Sequence, residues 1–391
     1  MATYLNKTLG TATNTKKFTI AAWCKRSNPT NSDYILAAGT NQNDYIDDLR
    51  FDGAGKLIFD GYSTGSTYRL KTNRLFRDPA AWYHVVVRYD STQSTSSERL
   101  KMYVNGVGQS NFETATYPSL NYDPHFNKNV EHMVGRNLGG SNYYNGYIAQ
   151  LIFVDGTAYS ESAFGSTNSN GVWIPNTSPS ITYGNNGFKL DFADSGASAA
   201  TGNFGSDSSG NNNHFTSNSL GTNPNTKDTP HNNFCTMTPI DKGLNAGTLS
   251  LGNLKMTNGT SGSADRQKFR GTMAVTKGKW YFEMKKLANS ASIGLLATEE
   301  KVDQTSASGM LVEYLHQGEL RFYNGSGRTT KTTGIDAYTT NDIVGCALDM
   351  DNRRAYFHKN GFYQGDPTPD PASSPSGAGQ MAAIQTGFTM S

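Results

Sequence analysis

The sequence is poor in charged residues, in long apolar runs and in cysteine. Asp, Glu, Lys and Arg make up 17% of the 391 residues, and the net charge is +2. That balance provides no basic surface for nucleic acid. No apolar run approaches the roughly 18 residues of a membrane-spanning helix, and the opening MATYLNKTLG lacks an apolar signal core. We therefore predict no nucleic-acid partner, no membrane insertion, and a protein that is assembled in a cytoplasm or released by lysis.

The three cysteines, Cys24, Cys235 and Cys346, are odd in number and far apart. This spacing argues against a disulfide framework and matches no zinc site, so all three are predicted to be reduced or buried thiols. Motifs for nucleophilic catalysis are missing as well: no GxSxG precedes a helix, and no Cys, His and Asp trio stands out. No glycine-rich loop joins a strand to a helix, so a phosphate-binding loop is not indicated. We predict no catalytic residues.

Short alternating strands are abundant. The 41 Gly, 21 Tyr and 19 Phe are typical of strands and turns rather than of helices. In WYHVVVRYD every second side chain points the same way. Tyr83, Val85, Val87 and Tyr89 form the apolar set and are predicted to face a core. His84 lies on the other face and is interpreted as an ordinary sheet residue, as is His358 further along the chain.

Two distant segments share one pattern of strand, polar turn, strand and Asn-Gly. Asn-Gly accepts the positive φ angles of a two-residue hairpin, so tight turns are predicted at Asn105-Gly106 and Asn360-Gly361. Leu100, Met102 and Val104 are predicted to share one face of their strand, and Val344, Cys346, Leu348 and Met350 to share one face of theirs. Ala355 and Phe357 alternate with Tyr356 and His358. Many such strands predict an all-β fold of two antiparallel β-sandwich (jelly-roll) domains joined by a Gly/Asn/Ser-rich linker.

Composition divides the chain into three parts. Residues 1–175 hold the first sandwich, residues 176–245 form an irregular connecting region with a few strands, and residues 246–391 hold the second sandwich. Within the connection, residues 196–233 are poor in apolar side chains and rich in turn formers, which predicts a linker or a long irregular excursion. A single helical turn is predicted at SESAFG, with Ser160 as its cap.

Several motifs resemble known families. FTIAAWCKRS, AWYHVVVRYD, LKMYVNGV and NGYIAQLIFVDGTAYSESAFG resemble, in order and spacing, the laminin-G or concanavalin A-like jelly roll over residues 1–170. GKWYFEMK, IGLL and VGCALDMDNRRAYFHKNG resemble a SPRY domain, which is another two-sheet sandwich. DSSGNNNHFT and DTPHNNFCTMTP, with the whole arrangement, resemble structural proteins of bacteriophages, particularly of marine phages.

One departure concerns the end of the second sandwich. A SPRY domain normally continues with more strands past the Pro/Ser loop at residues 366–379, whereas this sequence stops at GFTMS. Either the last sheet is completed differently or the 391 residues are part of a longer polypeptide. An unpaired edge strand invites association, so we predict that a neighbouring subunit or further sequence covers it.

The jelly-roll resemblance raises the question of glycoside hydrolysis, which needs two carboxylates about 5 to 10 Å apart. Glucanases of this class resemble one another in a Glu-x-Asp-x-Glu pattern that this sequence lacks. Asp349 and Asp351 are the nearest pair, and they sit at a predicted turn whose capping accounts for them. Glu283 offers one carboxylate followed by lysines. We predict that the protein is not an enzyme.

A calcium ion is the one cofactor that the resemblance implies. Laminin-G-like domains often hold one at a loop rim, and NQNDYIDDLRFD offers oxygen ligands from Asp44, Asp47 and Asp48, with Asp52 nearby. The spacing matches no defined calcium loop, and solvated acidic residues are the alternative.

Sugar binding is the second implied property. Lectin sites pair aromatic rings with polar groups, because a pyranose has an apolar face and a rim of hydroxyls. Tyr62 and Tyr68 in GYSTGSTYRL, and Tyr143 and Tyr144 in GGSNYYNGY, are the candidates. The alternative is that these rings cap sheet edges or pack between subunits.

Together, the resemblances imply a non-enzymatic virion protein, most simply a tail-fibre or surface-appendage component that adheres to the host. Such a protein would associate with itself, by resemblance as a trimer, with other virion proteins, and with a host surface glycan. A capsid fibre or decoration protein, a free carbohydrate-binding lectin and, least favoured, a glycanase are the alternatives. The sequence does not specify the sugar, the host or the number of subunits.

Overall fold

A computed structural model of the chain describes residues 3–43, 45–64, 66–221, 224–243, 247–257, 268–288, 290–298, 302, 310–324 and 328–365. The chain divides into two compact units, Met1–Phe234 and Cys235–Ser391. Besides strands, the described residues form only two single-turn 3-10 helices, Ser96–Glu98 and Glu161–Ala163. This confirms the predicted all-β class. Neither helix has the length or apolarity to cross a membrane.

The described strands of the first unit are, in chain order, β1 (Tyr4–Thr8), β2 (Lys17–Arg26), β3 (Asp33–Asn41), β4 (Tyr45–Phe51), β5 (Lys56–Ser63), β6 (Ser66–Leu75), β7 (Trp82–Asp90), β8 (Leu100–Val104), β9 (Val107–Gly108), β10 (Phe112–Thr116), β11 (Glu131–Val134), β12 (Gly146–Asp155), β13 (Gly165–Thr167), β14 (Trp173–Pro175), β15 (Phe188–Leu190) and β16 (Thr216–Asn218). Those of the second unit are β17 (Met237–Lys242), β18 (Thr248–Ser250), β19 (Lys255–Thr257), β20 (Phe269–Gly271), β21 (Lys279–Lys285), β22 (Ser292–Leu296), β23 (Met310–Leu315), β24 (Glu319–Asn324), β25 (Arg328–Lys331), β26 (Ile343–Asp349), β27 (Arg354–Lys359) and β28 (Phe362–Tyr363).

The first unit is a sandwich of two antiparallel sheets. The larger has the order β10-β6-β5-β4-β3-β11-β1-β16, and the smaller has the order β15-β12-β2-β7-β8-β9. Their facing sides enclose one apolar core, in which the Phe18 ring stacks on Tyr89 with centroids 4.6 Å apart. As predicted, Tyr83, Val85, Val87 and Tyr89 face this core.

The opposite face of the smaller sheet is also buried, which alternation alone did not predict. Ile152 packs there against Phe164 in a separate apolar cluster. The His84 ring lies between the rings of Trp23 and Trp173, at centroid distances of 4.7 Å and 6.0 Å, and its Nδ1 accepts a hydrogen bond from Trp173 Nε1 at 3.0 Å. Burial lowers the pKa of His84 to about 3. His84 is therefore a neutral packing residue of the sheet.

The turns follow the sequence predictions closely. Asn105 and Gly106 have φ angles of 51° and 75°, and Asn360 and Gly361 have φ angles of 49° and 86°, so both Asn-Gly pairs turn as predicted. The predicted turn at SESAFG is the 3-10 helix Glu161–Ala163. Ser160 precedes that helix without making a side-chain cap hydrogen bond, so its predicted capping role is wrong.

Most of the region that composition assigns to a connection, residues 176–234, belongs to the first unit. β15 extends the smaller sheet, β16 extends the larger one, and Phe215 is fully buried in the core between them. The predicted boundary at residue 175 is therefore replaced by a division after Phe234, and residues 196–233 are an excursion of the first unit rather than a linker. Turn-forming residues set the local conformation of this segment, but they do not reveal which distant strands it pairs with.

Residues 224–234, called the strap here, return to the outer face of the smaller sheet. Asp228 is buried there, and one of its carboxylate oxygens accepts a hydrogen bond from Lys25 Nζ at 2.7 Å. Trp82 Nε1 donates to the other oxygen at 2.9 Å. Lys25 is itself only 1% exposed, and it also donates to the Phe234 carbonyl at 3.0 Å. A buried charge pair thus fastens the end of the first unit to its own sheet.

The second unit contains a sandwich of two four-stranded antiparallel sheets, β21-β26-β27-β28 and β22-β23-β24-β25. The residues that were predicted to share one face of β26, together with Ala355 and Phe357 of β27, lie in the core between these sheets: Val344, Cys346, Leu348, Met350, Ala355 and Phe357. Tyr314 and Leu320 meet them from the other sheet. Residues 366–391, which follow the last described strand, lie outside the described residues, so the covering of the last sheet edge by a neighbouring subunit or further sequence stays a prediction. Cys24, Cys235 and Cys346 are all unpaired.

Candidate functional site

The four candidate tyrosines do not converge on one site. Tyr68 is fully buried in the core, where its ring stacks on Phe59 at 5.7 Å, so its predicted sugar contact is wrong. Tyr144 packs against the same core, and its hydroxyl donates to the Lys25 carbonyl at 3.2 Å. Packing also explains this ring.

Tyr62 and Tyr143 remain nearer to solvent. Tyr62 is 37% exposed near the end of β5. Tyr143 is half-buried, and its ring lies against Tyr4 with centroids 6.2 Å apart. Sugar contact by these two rings stays a prediction.

The three candidate calcium ligands also separate. Asp44 lies outside the described residues. Asp47 and Asp48 are neighbours on β4, so their side chains point to opposite faces of the sheet. Asp48 forms a salt bridge with Arg50 on one face, while Asp47 is fully buried on the other. Asp47 and Asp48 therefore cannot coordinate one ion together. Within the described residues, no group of three His, Cys, Asp or Glu side chains could hold a metal.

The buried Asp47 carboxylate has an unusual environment. Its Oδ2 accepts the Phe126 backbone N–H at 2.7 Å, whereas its Oδ1 has no hydrogen-bond partner. A Cβ placed at Gly61 would come within 2.5 Å of both Oδ1 and the Tyr68 ring, so these groups share a tightly filled space. Burial raises the pKa of Asp47 to about 7, against the opposing effect of the Phe126 N–H.

Asp349 and Asp351 lie at the turn between β26 and β27, and each accepts a backbone hydrogen bond. Asp349 Oδ1 accepts the Asn352 N–H at 3.0 Å within the turn, as the turn interpretation predicted. Asp351 Oδ1 instead accepts the Gly278 N–H at 2.8 Å, just before β21, and so joins the turn to a distant segment.

A groove of about 460 Å³ lies on the second unit, on the outward face of the sheet that contains β21, β26, β27 and β28. The Tyr281 ring forms part of it and is 55% exposed. The residues that line the groove are Tyr281, Glu283, Ile343, His358, Asn360, Gly361 and Tyr363.

Strand register explains why a groove forms here. Glu283 on β21 pairs with Gly345 on β26, and Gly345 pairs with His358 on β27. A Cβ at Gly345 would lie 2.4 Å from His358 Nε2 and 3.0 Å from Tyr281 Oη. Since Gly345 has no side chain, the central strand forms a low floor, and the Tyr281 and His358 side chains can meet above it.

The polar groups of the groove form one hydrogen-bonded chain. The Gly361 N–H donates to His358 Nδ1 at 3.2 Å. His358 Nε2 lies 2.7 Å from Tyr281 Oη, and Tyr281 Oη donates to Glu283 Oε2 at 2.6 Å. Burial, followed by the bond to Glu283, raises the pKa of Tyr281, and burial lowers the pKa of His358. This hydrogen-bonded series therefore contains a neutral His358 imidazole and a protonated Tyr281 phenol.

Aromatic surfaces accompany this chain. The Tyr281 ring is nearly parallel to the His358 ring, at 6° with centroids 5.7 Å apart, and Tyr363 meets His358 edge-on at 5.7 Å. An exposed tyrosine face beside a carboxylate can bind a ligand that has one apolar face and several hydroxyls.

Sequence reasoning noticed Glu283 as a lone carboxylate and His358 as a sheet residue, but it did not connect them. One signal was available in the sequence. Tyr281 and Glu283 share one face of β21, and the small residues Gly345 and Ala347 share one face of β26. That signal becomes a groove only once the pairing of β21 with β26 is known.

Comparison with known proteins supports the fold of the first unit. Residues 3–163 match the family model described as the concanavalin A-like lectin/glucanases superfamily. The match lies within the first unit and agrees with its two-sheet jelly roll. No curated protein matches the sequence.

Several solved structures are similar at low identity. A native heptameric SAP-like pentraxin from Limulus polyphemus shares 15% identity, with 45% of this chain and 86% of that chain covered at a TM-score of 0.32. Domains LG4-5 of the mouse laminin alpha1 chain share 10% identity, with 99% of this chain and 77% of that chain covered at a TM-score of 0.32. Tailspike protein 2 of the Escherichia coli O157:H7 bacteriophage CAB120 shares 15% identity, with 41% of this chain and 22% of that chain covered at a TM-score of 0.28. Scores this low transfer no function from those proteins to this chain.

Proposed function

We propose that this chain is a non-enzymatic, carbohydrate-binding protein of a bacteriophage particle, and that the groove of the second unit binds the sugar. The observation that carries the proposal is the exposed Tyr281 face held beside the Glu283 carboxylate. The ring would stack on the apolar face of a pyranose while the carboxylate accepts hydroxyl hydrogens. Adhesion of this kind needs no metal or other cofactor.

Several features favour binding over hydrolysis. Among the described residues that line the groove, Glu283 is the only carboxylate, whereas glycoside hydrolysis needs a pair. Asp349 and Asp351 each accept a hydrogen bond from a backbone amide. The described part of the groove thus offers a sugar a surface to bind, with a single carboxylate instead of the pair that cleavage requires.

The phage assignment comes from the resemblance of DSSGNNNHFT and DTPHNNFCTMTP to phage structural proteins. We place the protein on the virion, in a tail fibre or similar appendage, associated with itself as a trimer and with other virion proteins. The second unit is proposed to be SPRY-like. A capsid fibre is the alternative location, and a free lectin is the alternative form.

Removal of the Tyr281 ring tests the site. Binding of the full chain to a glycan array, followed by calorimetry with the best ligand, is expected to show that Tyr281→Ala weakens affinity at least about fivefold, because an aromatic face contributes about 1 kcal/mol or more. Tyr62→Ala is the matched control, since it removes an exposed tyrosine of the first unit. The proposal is wrong if Tyr62→Ala abolishes binding while Tyr281→Ala leaves it intact, or if the full chain binds no glycan.

A further inference from the structure

The direction of each hydrogen bond in the groove can be assigned. Because the Gly361 N–H points at His358 Nδ1, that nitrogen must be an acceptor, and the single ring proton of the neutral imidazole then sits on Nε2. Nε2–H donates to Tyr281 Oη, and Tyr281 uses its own proton on Glu283 Oε2. The hydrogen-bonding protons of His358 and Tyr281 therefore both point towards Glu283, and neither points into the groove.

The Asn360 side chain also uses most of its hydrogen-bonding groups within the protein. Its Oδ1 accepts the Ile343 N–H at 2.9 Å, and its Nδ2 donates to Asp342 Oδ1 at 2.8 Å. Asp342 adds a second carboxylate behind Asn360, and Lys359 Nζ lies 3.8 Å from it. The amide side chain thus serves to fix the hairpin and has one N–H left.

Among the described lining residues Glu283 carries the only carboxylate, and a carboxylate offers acceptors alone, beside the remaining N–H of Asn360 and the hydroxyl of Tyr363. Glu283 Oε1 is exposed, and no described side chain donates to it. Lys285 stands two residues further along the same strand, outside the lining residues. A hydroxyl or an ammonium can donate to Glu283, whereas a carboxylate, sulfate or phosphate cannot and is repelled by its charge.

We infer that the groove selects sugars that present hydrogen-bond donors and carry no negative charge, and that it excludes acidic sugars. This inference rests on the proposed function, because it specifies the ligand of the same site. Glu283 is the residue that determines the selection, with Tyr281 as the platform. His358 is a positioning residue, which sets the direction of the Tyr281 proton without contacting the sugar.

Matched sugar pairs test the selection. The full chain would be titrated with oligosaccharides that differ only in oxidation at C6: glucose against glucuronate, galactose against galacturonate, and mannose against mannuronate. For every pair that binds, we expect the uronate form to bind at least about tenfold more weakly, since it leaves an acceptor facing an acceptor. Glu283→Gln is expected to shrink that ratio several-fold, because an amide can donate to the uronate. Glu161→Gln, a half-buried glutamate of the first unit, should leave the ratio unchanged.

The outcomes separate the two proposals. Equal or tighter uronate binding that depends on Tyr281 overturns the selection but keeps the groove as a sugar site. An unchanged ratio in Glu283→Gln overturns the role assigned to Glu283. If no sugar of either kind binds the full chain, the proposed function fails and the selection fails with it.

Discussion

Single buried charges of the first unit are balanced in two different ways. Arg26 and Asp33, both fully buried, form an ion pair at 2.7 Å, and Arg26 also donates to the Phe76 carbonyl at 3.0 Å. Asp47 is equally buried but has a backbone N–H rather than a cation. Burial of a carboxylate without a cation favours its protonated form. Burial also raises the pKa of Asp33, but there the Arg26 guanidinium opposes the effect, whereas burial raises the pKa of Asp47 to about 7.

This difference predicts a pH-dependent stability. The pKa of Asp47 rises from 3.8 to about 7 on folding, so between these values the folded protein keeps a proton that the unfolded chain loses. The free energy of unfolding should therefore fall as the pH rises from about 4 to about 7, by at most about 1.4 kcal/mol per pH unit from this residue. In Asp47→Asn that contribution is expected to disappear.

Urea unfolding of both proteins between pH 4 and pH 8 measures the effect. The variant should match the parent chain near pH 4 and exceed it near pH 8. Parallel pH profiles for the two proteins would show that Asp47 is ionised throughout and that the assigned environment is incorrect.

Among the elements, the strap is the feature that decides where the first unit ends. The strap contributes no strand to either sheet. It places Asp228 between Lys25 and Trp82 on the buried outer face of the smaller sheet. Removal of one partner from a buried charge pair leaves the other without compensation. A flexible linker, by contrast, would contribute nothing to the stability of the sheet.

We therefore expect Asp228→Ala to lower the free energy of unfolding of the first unit by about 3 kcal/mol. Asp194→Ala, which removes an exposed carboxylate from the same Gly/Asn/Ser-rich region, is the matched control and should change it by less than about 0.5 kcal/mol. Thermal unfolding followed by tryptophan fluorescence measures both. Equal, small effects of the two substitutions would mean that the strap is not a stabilising part of the unit.

Strands, turns and core faces were predictable because they depend on neighbouring residues. The alternation around Val85 and the Asn-Gly pairs fix local geometry, and the structure confirms both. The strap and the groove were not predictable, because each joins segments that are far apart in sequence, such as Lys25 with Asp228 or Tyr281 with His358. Candidate tyrosines failed for a related reason: a ring in a polar stretch, such as Tyr68, can still occupy an inward strand position.

The whole molecule consists of two units that each enclose an apolar core. The first has the jelly roll that matches the lectin superfamily model, and the second has the groove to which we assign sugar binding. Under the proposed function, the first unit would act as a scaffold and the second as the adhesive part. Whether such adhesion would serve host attachment depends on where the protein lies on the particle.

Labelling of intact phage particles with an antibody against the first unit, imaged by electron microscopy, tests that location. We expect label at the tail, because host contact is made there. Label over the capsid would instead support a head fibre or decoration protein. Particles without label, beside a positive signal from the lysate, would contradict a virion role and leave a free lectin.

The strap has a consequence for how such proteins can be recombined. Since Asp228 and Phe234 close the first unit on itself immediately before the division after Phe234, a gene fusion made at that point would cut none of the contacts described for its sandwich. A fusion made at residue 175 would discard β15, β16 and the buried partner of Lys25. Under the proposed function, exchange of sugar-binding parts between related genes is therefore expected to occur at the later junction, where a new second unit can be acquired without refolding the first.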